Sequence, residues 1–198
     1  MNMVTSLEKI SSEAFRFLES SFKFQRVLSS ETLVRWESNN VFVQIRYDAH
    51  RSFEVSLEIG QTVCKLPQLG PPFSLGEVLG VAGLPLAQRP FFQASTEERL
   101  KAALNEIAQL LVRYGLPFLQ NDADAFVALT QQRRIDCDIY AQERDLRQIR
   151  EAADNAWHVS DYRTVVKLYR DKREFLTATE TKRYEIALKH LSAINPAS

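Results

Sequence analysis

The sequence is short of the residues that punctuate or cross-link a chain. Its 198 residues hold 6 glycines, 7 prolines, 2 cysteines and 3 histidines. So little Gly and Pro excludes a collagen-like or low-complexity chain, and two cysteines cannot make a disulfide scaffold. Cys64 stands in a strand-like run and Cys137 in a helical one. Thiols so far apart read as separate and reduced. No run approaches the ~18 apolar residues of a membrane span. Near the start, Glu8, Glu13 and Glu19 interrupt what a signal peptide would need as an apolar core. The expectation is a cytoplasmic protein without a membrane partner.

An excess of charge is missing too. Lys+Arg and Asp+Glu balance at 25 each, with 12 of each sign in residues 1–120 and 13 of each in 121–198. Nucleic-acid binders draw affinity from a basic excess that displaces phosphate counterions, so no nucleic-acid partner is expected. The same balance argues against an acidic mimic of DNA. Glycine-rich phosphate loops and nucleophile elbows are absent as well: the chain has no GxGxxG, GxxxxGK[ST] or GxSxG.

What is present is patterned. Thr5-Ser-Leu-Glu8 has the form of a capping box, and Leu7, Ile10, Ala14, Phe17 and Leu18 follow at helical spacing to about Ser20. Four strand-like runs come next: Phe22–Val27, Thr32–Glu37, Val41–Asp48 and Ser52–Ile59. In the third, Val41, Val43, Ile45 and Tyr47 share a face while Gln44 and Arg46 take the other. In the fourth, Phe53, Val55, Leu57 and Ile59 oppose Glu54, Ser56 and Glu58. Period-two alternation predicts a sheet with one buried and one wetted face, and the short connections predict antiparallel pairing. Gly60 and Leu69-Gly-Pro-Pro72 lead out of the sheet.

The second half reads as helical. Ser74-Leu-Gly-Glu77, Ser95-Thr-Glu-Glu98 and Thr177-Ala-Thr-Glu180 are further capping boxes. The second of these opens a helix that stops at Gly115. Between Asn121 and Ser160 no Pro or Gly intervenes, and a thin apolar stripe runs Phe126, Leu129, Ile135, Ile139, Leu146, Ile149, Ala153, Ala156. One long helix or two abutting ones both fit. Asn195-Pro196 ends the last helix.

The final fifty residues resemble a tetratricopeptide repeat, a helix–turn–helix of about 34 residues. Ala153 matches the small residue of the first helix, Ser160-Asp161-Tyr162 the turn, and Tyr169 the aromatic of the second helix. Ala187 matches the small residue of a following helix. Val165, Lys172 and Thr177 depart from the family pattern, and one repeat and a half is visible. Residues 5–120 resemble a set of bacterial proteins of unknown function. Val34-Arg-Trp-Glu-Ser, Val41-Phe-Val, Tyr47-Asp, Arg51-Ser-Phe-Glu-Val and Ser-Leu-Gly-Glu-Val-Leu carry that likeness, which implies no activity.

Chemistry-bearing residues fall into ordinary contexts. His50 sits in a hairpin turn, His158 and Asp161 flank the turn of the repeat-like segment, and His190 lies near a helix C-terminus. Asp136-Cys137-Asp138 surrounds a thiol with carboxylates, the reverse of what activates one, and with Arg133-Arg134 it reads as a solvated face. Glu54 and Glu58 share a strand face. Phe91-Phe92 is a bulky pair in a loop, anchoring that loop or facing a partner. No catalytic, cofactor-binding or metal-ligating residue is nominated, and no cofactor is expected.

The expected fold class is α+β: an N-terminal helix plus a four-stranded antiparallel β-meander, then a helical region ending in a tetratricopeptide-like hairpin. Residues 1–120 are expected as the α+β domain and 121–198 as a helical tail packed on it, in one structural unit or two. The expected role is a non-enzymatic protein-interaction module, an immunity protein or adaptor, with a protein partner. The alternative is a small-molecule binder or enzyme whose polar residues converge only in three dimensions.

Overall fold

The computed structural model describes residues 4–62 and 72–194. The Thr5 side chain, Cys64, the segment from Leu69 to Pro71 and Asn195-Pro196 lie outside the described residues. The fold is α+β, with helices before and after an antiparallel sheet. The chain divides into two compact units, Met1–Arg134 and Ile135–Ser198. The division falls inside one helix, α6 (Ala123–His158).

In the first unit the alternating runs become β1 (Gln25–Ser29), β2 (Leu33–Glu37), β3 (Val41–Tyr47) and β4 (Glu54–Gln61). Their order in the sheet is their order in sequence, and every pairing is antiparallel. Register follows the apolar alternation: Trp36 opposes Val43, Val34 opposes Ile45, and Val43, Ile45 and Tyr47 oppose Ile59, Leu57 and Val55. Sliding any strand by one residue would turn its apolar set to water. Leu7 and Ile10 of α1 (Val4–Ala14), Leu18 of α2 (Arg16–Phe22) and Leu100, Leu104, Ile107 and Leu111 of α4 (Glu97–Tyr114) join that apolar face in one buried cluster. The Tyr47 hydroxyl donates to the Ala94 carbonyl at 2.7 Å, which ties β3 to the segment before α4.

A single helix to about Ser20 is in fact two. The break is at Phe15, whose fully buried ring lies 5.5 Å from Trp36, so the core takes a side chain that a straight helix would not deliver. Phe22 and Lys23 are not strand. Leu18 and Phe22 keep helical spacing, Phe22 packs edge-on against Phe17, and Lys23 closes α2 in the left-handed region at φ 58°.

Phe53 is not an inward strand residue either: at φ 55° it belongs to the turn before β4. That turn is built by the Asp48 carboxylate, which accepts from the amides of His50, Arg51 and Ser52 and from the Ser52 hydroxyl. Two short strands extend the sheet unannounced: β5 (Phe73–Ser74) and β6 (Phe92–Gln93) both pair with β4. The third capping box does not form: the N-cap is Thr96 rather than Ser95, its hydroxyl accepts from the Arg99 amide, and arginine at that position has no acceptor to return the bond. Two others form as read, at Ser74 with Glu77 opening α3 (Leu75–Val81) and at Thr177 with Glu180.

The outer sheet face is less wet than alternation implies. Gln44 is 3% exposed, because Arg35, Arg46 and Glu58 close over it. Its amide donates to the Glu58 carboxylate, which also accepts from Arg46 Nε at 3.0 Å, and its oxygen accepts from Arg35 Nη1 at 3.3 Å. Beside them the Arg35 guanidinium lies 3.8 Å over the Phe42 ring. Gly60 is required there, since a Cβ on it would come within 2.7 Å of that ring.

After the four-residue α5 (Leu116–Leu119), α6 runs unbroken from Ala123 to His158, about 54 Å at 1.5 Å per residue. It gives Phe126 and Leu129 to the core of the first unit and Ala153 and Ala156 to that of the second. The second unit continues with α7 (Tyr162–Tyr169), a 3-10 turn at Arg170–Phe175, and α8 (Ala178–Ile194). Ala153, Ala156, Val165, Val166, Tyr169, Tyr184 and Ala187 form its buried cluster. Small residues at 153, 156 and 187 let the helices approach closely.

Candidate functional site

Most of the residues singled out for chemistry have structural duties. His50 is an exposed turn residue. Asp161 caps α7, its carboxylate accepting from the Thr164 amide at 3.1 Å, and these bonds hold its pKa below the ordinary range. His158 lies 3.4 Å from Asp154 rather than beside Asp161. His190 stacks flat on Tyr162, centroids 4.5 Å apart. Glu58 is bound by Gln44 and Arg46. The aromatic pair divides its work: Phe92 packs against the core as part of β6 while Phe91 stands 67% exposed. Cys137 is an exposed free thiol. Among the described residues no three His, Cys, Asp or Glu side chains gather as a metal ion would need.

Arg133, read as part of a solvated face, is instead anchored. Its guanidinium grips the Glu77 carboxylate through Nε at 2.5 Å and Nη2 at 2.9 Å, donates to the Pro72 carbonyl, and lies 4.0 Å over the Phe73 ring. Burial pushes the Glu77 carboxyl up, but Arg133 and the Ser74 bonds outweigh it and the net shift is downward. A bidentate arginine over an aromatic ring is a strong tie. Sequence could not show it, since the partners are 56 residues apart.

In the second unit sequence reading missed a chain of contacts around Asp154. Its carboxylate accepts from Arg183 at 2.7 Å and faces His158, and Arg183 lies 5.6 Å from the Trp157 ring centroid. Trp157 meets Tyr162 edge-on at 5.6 Å. Arg150 reaches from α6 to Glu180 and to the Phe175 carbonyl. These groups staple α6, α7 and α8 together. Two grooves lined by described residues are open and small: one of about 390 Å³ beside Leu176, Tyr184 and Leu188, and in the first unit one of about 400 Å³ beside Phe17 and Val112.

A long exposed stretch lies on α6. Between 134 and 145 every residue but Ala141 is exposed. Ile135 and Ile139 lie there at 51% and 50% exposure. They are not scattered. Ile135, Ile139, Gln142, Leu146, Ile149, Ala153 and Ala156 recur at alternating four- and three-residue steps, the spacing that keeps one seam of a helix facing a neighbour. From Leu146 onward the seam is mostly buried within the chain. Among the described residues its first two turns are exposed. Comparison with protein-family models, characterised proteins and solved structures finds no match for this chain, and no helix among the described residues is long and apolar enough to cross a membrane.

Proposed function

We propose that this chain is a cytoplasmic protein-interaction module, an immunity protein or adaptor, that binds a partner protein through the exposed seam of α6. One observation carries the reading: two isoleucines half open to water, in register with a seam that the chain otherwise buries. An exposed apolar face continuous with a packing seam is what a docking helix offers. The likeness of residues around 153–187 to a tetratricopeptide repeat supports the same role, since such helical hairpins stack on neighbours to complete their cores. The unbridged Cys137 thiol supports a reducing compartment.

Photocrosslinking tests it. A benzophenone amino acid placed at Ile139 yields one discrete adduct in native lysate, and the same probe at Lys101, exposed on α4, does not. No adduct at 139, or the same adducts from both positions, overturns the reading.

A further inference from the structure

The partner's chemistry is written in the charges that border the seam. On a helix each residue advances about 100°. Viewed down α6 with Ile135 at the centre, Ile139, Gln142 and Leu146 fall within about 40° of it. Asp138 and Asp145 then border the seam on one side, about 60–80° away, and Glu143 and Asp136 on the other, about 80–100° away. The arginines of the same segment stand further round: Arg134 beyond Asp145, Arg147 beyond Asp136, and Arg144 on the back. Arg144 approaches Asp145 at 3.6 Å with both side chains more than half exposed, so that carboxylate still projects into solvent. An apolar strip with carboxylates along both margins is therefore laid over a stretch of about 16 Å, from Ile135 to Leu146.

Resting on the interaction reading above, we infer that the occupant of this strip is a basic amphipathic helix of about three turns. Its apolar face covers Ile135 and Ile139, and Lys or Arg on both flanks meets Asp138, Glu143 and Asp145. Flanking charges choose the partner and orientation of packed helices. A second copy of this chain is the wrong occupant. With both margins acidic, overlaying the segment on itself in either direction sets carboxylate against carboxylate, and like charges at such an interface select against pairing.

The probe is a synthetic helix of about three heptads with leucine at a and d and lysine at e and g, labelled for fluorescence anisotropy against the full chain. A second peptide carries glutamate in place of lysine. The lysine peptide binds roughly tenfold or more tightly than the glutamate peptide, and its affinity falls several-fold as salt rises from about 0.05 to about 0.5 M, because exposed charges are screened.

Ile135→Ser with Ile139→Ser abolishes binding, and circular dichroism confirms the fold, as expected for exposed positions. Asp138→Lys with Glu143→Lys and Asp145→Lys reverses the preference toward the glutamate peptide. Glu151→Lys, exposed on the same helix but turned away from the seam, changes nothing. Equal binding of both peptides, or an unchanged preference in the triple variant, overturns the inference. So does self-association that the double serine variant removes. A discrete adduct at position 139 with no binding of the lysine peptide leaves the interaction module standing and discards only the basic helix.

Discussion

The two units hold their helices by different means. In the first, the buried cluster contains Trp36, Phe15, Leu18, Ile45, Leu57, Ile59, Leu104, Ile107 and Leu111, large side chains whose removal from water drives folding. In the second, the buried set is alanine at three of seven positions, and polar ties close the gaps: Arg150 to Glu180 and Arg183 to Asp154. Each of these partly exposed ties contributes modestly alone. A unit built this way is more sensitive to pH, salt and the size of small side chains. Each unit also contains one of the chain's two tryptophans, Trp36 and Trp157, so fluorescence reads them separately.

The largest effect is expected at Trp36. Its ring is fully buried against Phe15, and its indole N–H donates to Glu19 at 3.2 Å. Trp36→Ala costs about 3–5 kcal/mol, the range for truncating a large core aromatic. Urea unfolding followed by circular dichroism shows the sheet-bearing unit losing that stability. Trp157 fluorescence keeps its own midpoint. An equal shift at Trp157 would merge the units into one cooperative block and dissolve the comparison.

Ala187→Leu comes next. Ala187 is fully buried, in one cluster with Ala153, so added methyl groups force α8 outward at about 1–3 kcal/mol. The readout is Trp157 fluorescence in a Trp36→Phe background. Leu104→Met in the first unit, a swap that conserves volume, costs less than about 1.5 kcal/mol. A tolerated leucine at 187 would mean that the helices are not closely approached.

How much of this contrast is visible in the chain depends on the range of the interaction. Val43, Ile45 and Tyr47 against Gln44 and Arg46 announce a strand, because one residue's neighbours decide its face. Ser74 with Glu77 and Thr177 with Glu180 announce helix starts for the same reason. The break at Phe15 does not show, because Trp36, twenty-one residues away in sequence, demands it. Neither does the burial of Gln44, which needs Arg35, Arg46 and Glu58 from three strands, nor β5 and β6, whose two-residue pairings rest on β4. The candidate site was half legible. Ile135 and Ile139 stand out as members of a stripe, but only coordinates separate its covered part from its open part.

Acid is a sharper way to part the units. Asp154 is held below the ordinary carboxylate range by the Arg183 hydrogen bond and the His158 charge, and Asp161 by its Thr164 bonds. Glu180 is pushed up by burial, but the Thr177 bonds and Arg150 outweigh that and bring it down. A carboxyl whose folded pKa lies below its unfolded value stabilises the fold above about pH 4. That contribution disappears as pH falls through the folded value. Asp48, Glu77 and Glu98 act with the same sign in the first unit, but there a large apolar core carries most of the load. Below about pH 4 the urea midpoint read at Trp157 therefore drops further than the one read at Trp36. Parallel curves would show that the ties between α6 and α8 matter no more than the core.

The smallest expected change is a gain. Ser160, in the turn joining α6 to α7, sits at φ 58°, a left-handed conformation that costs an L-residue about 1–2 kcal/mol. Glycine adopts it freely but loses more chain entropy on folding, about 0.5–1 kcal/mol. Ser160→Gly therefore stabilises the second unit by about 0.5–1 kcal/mol net, while Ser160→Ala brings no relief. Lys23 poses the same local problem at φ 58° in the first unit, so Lys23→Gly gives a gain of like size. The increments match because the backbone physics is the same. The Trp157 midpoint nonetheless moves by a larger fraction of its value than the Trp36 midpoint, because it is measured against a smaller core. Equal fractional shifts would put the stabilities of the two units on a par and remove the difference in core size as their governing contrast.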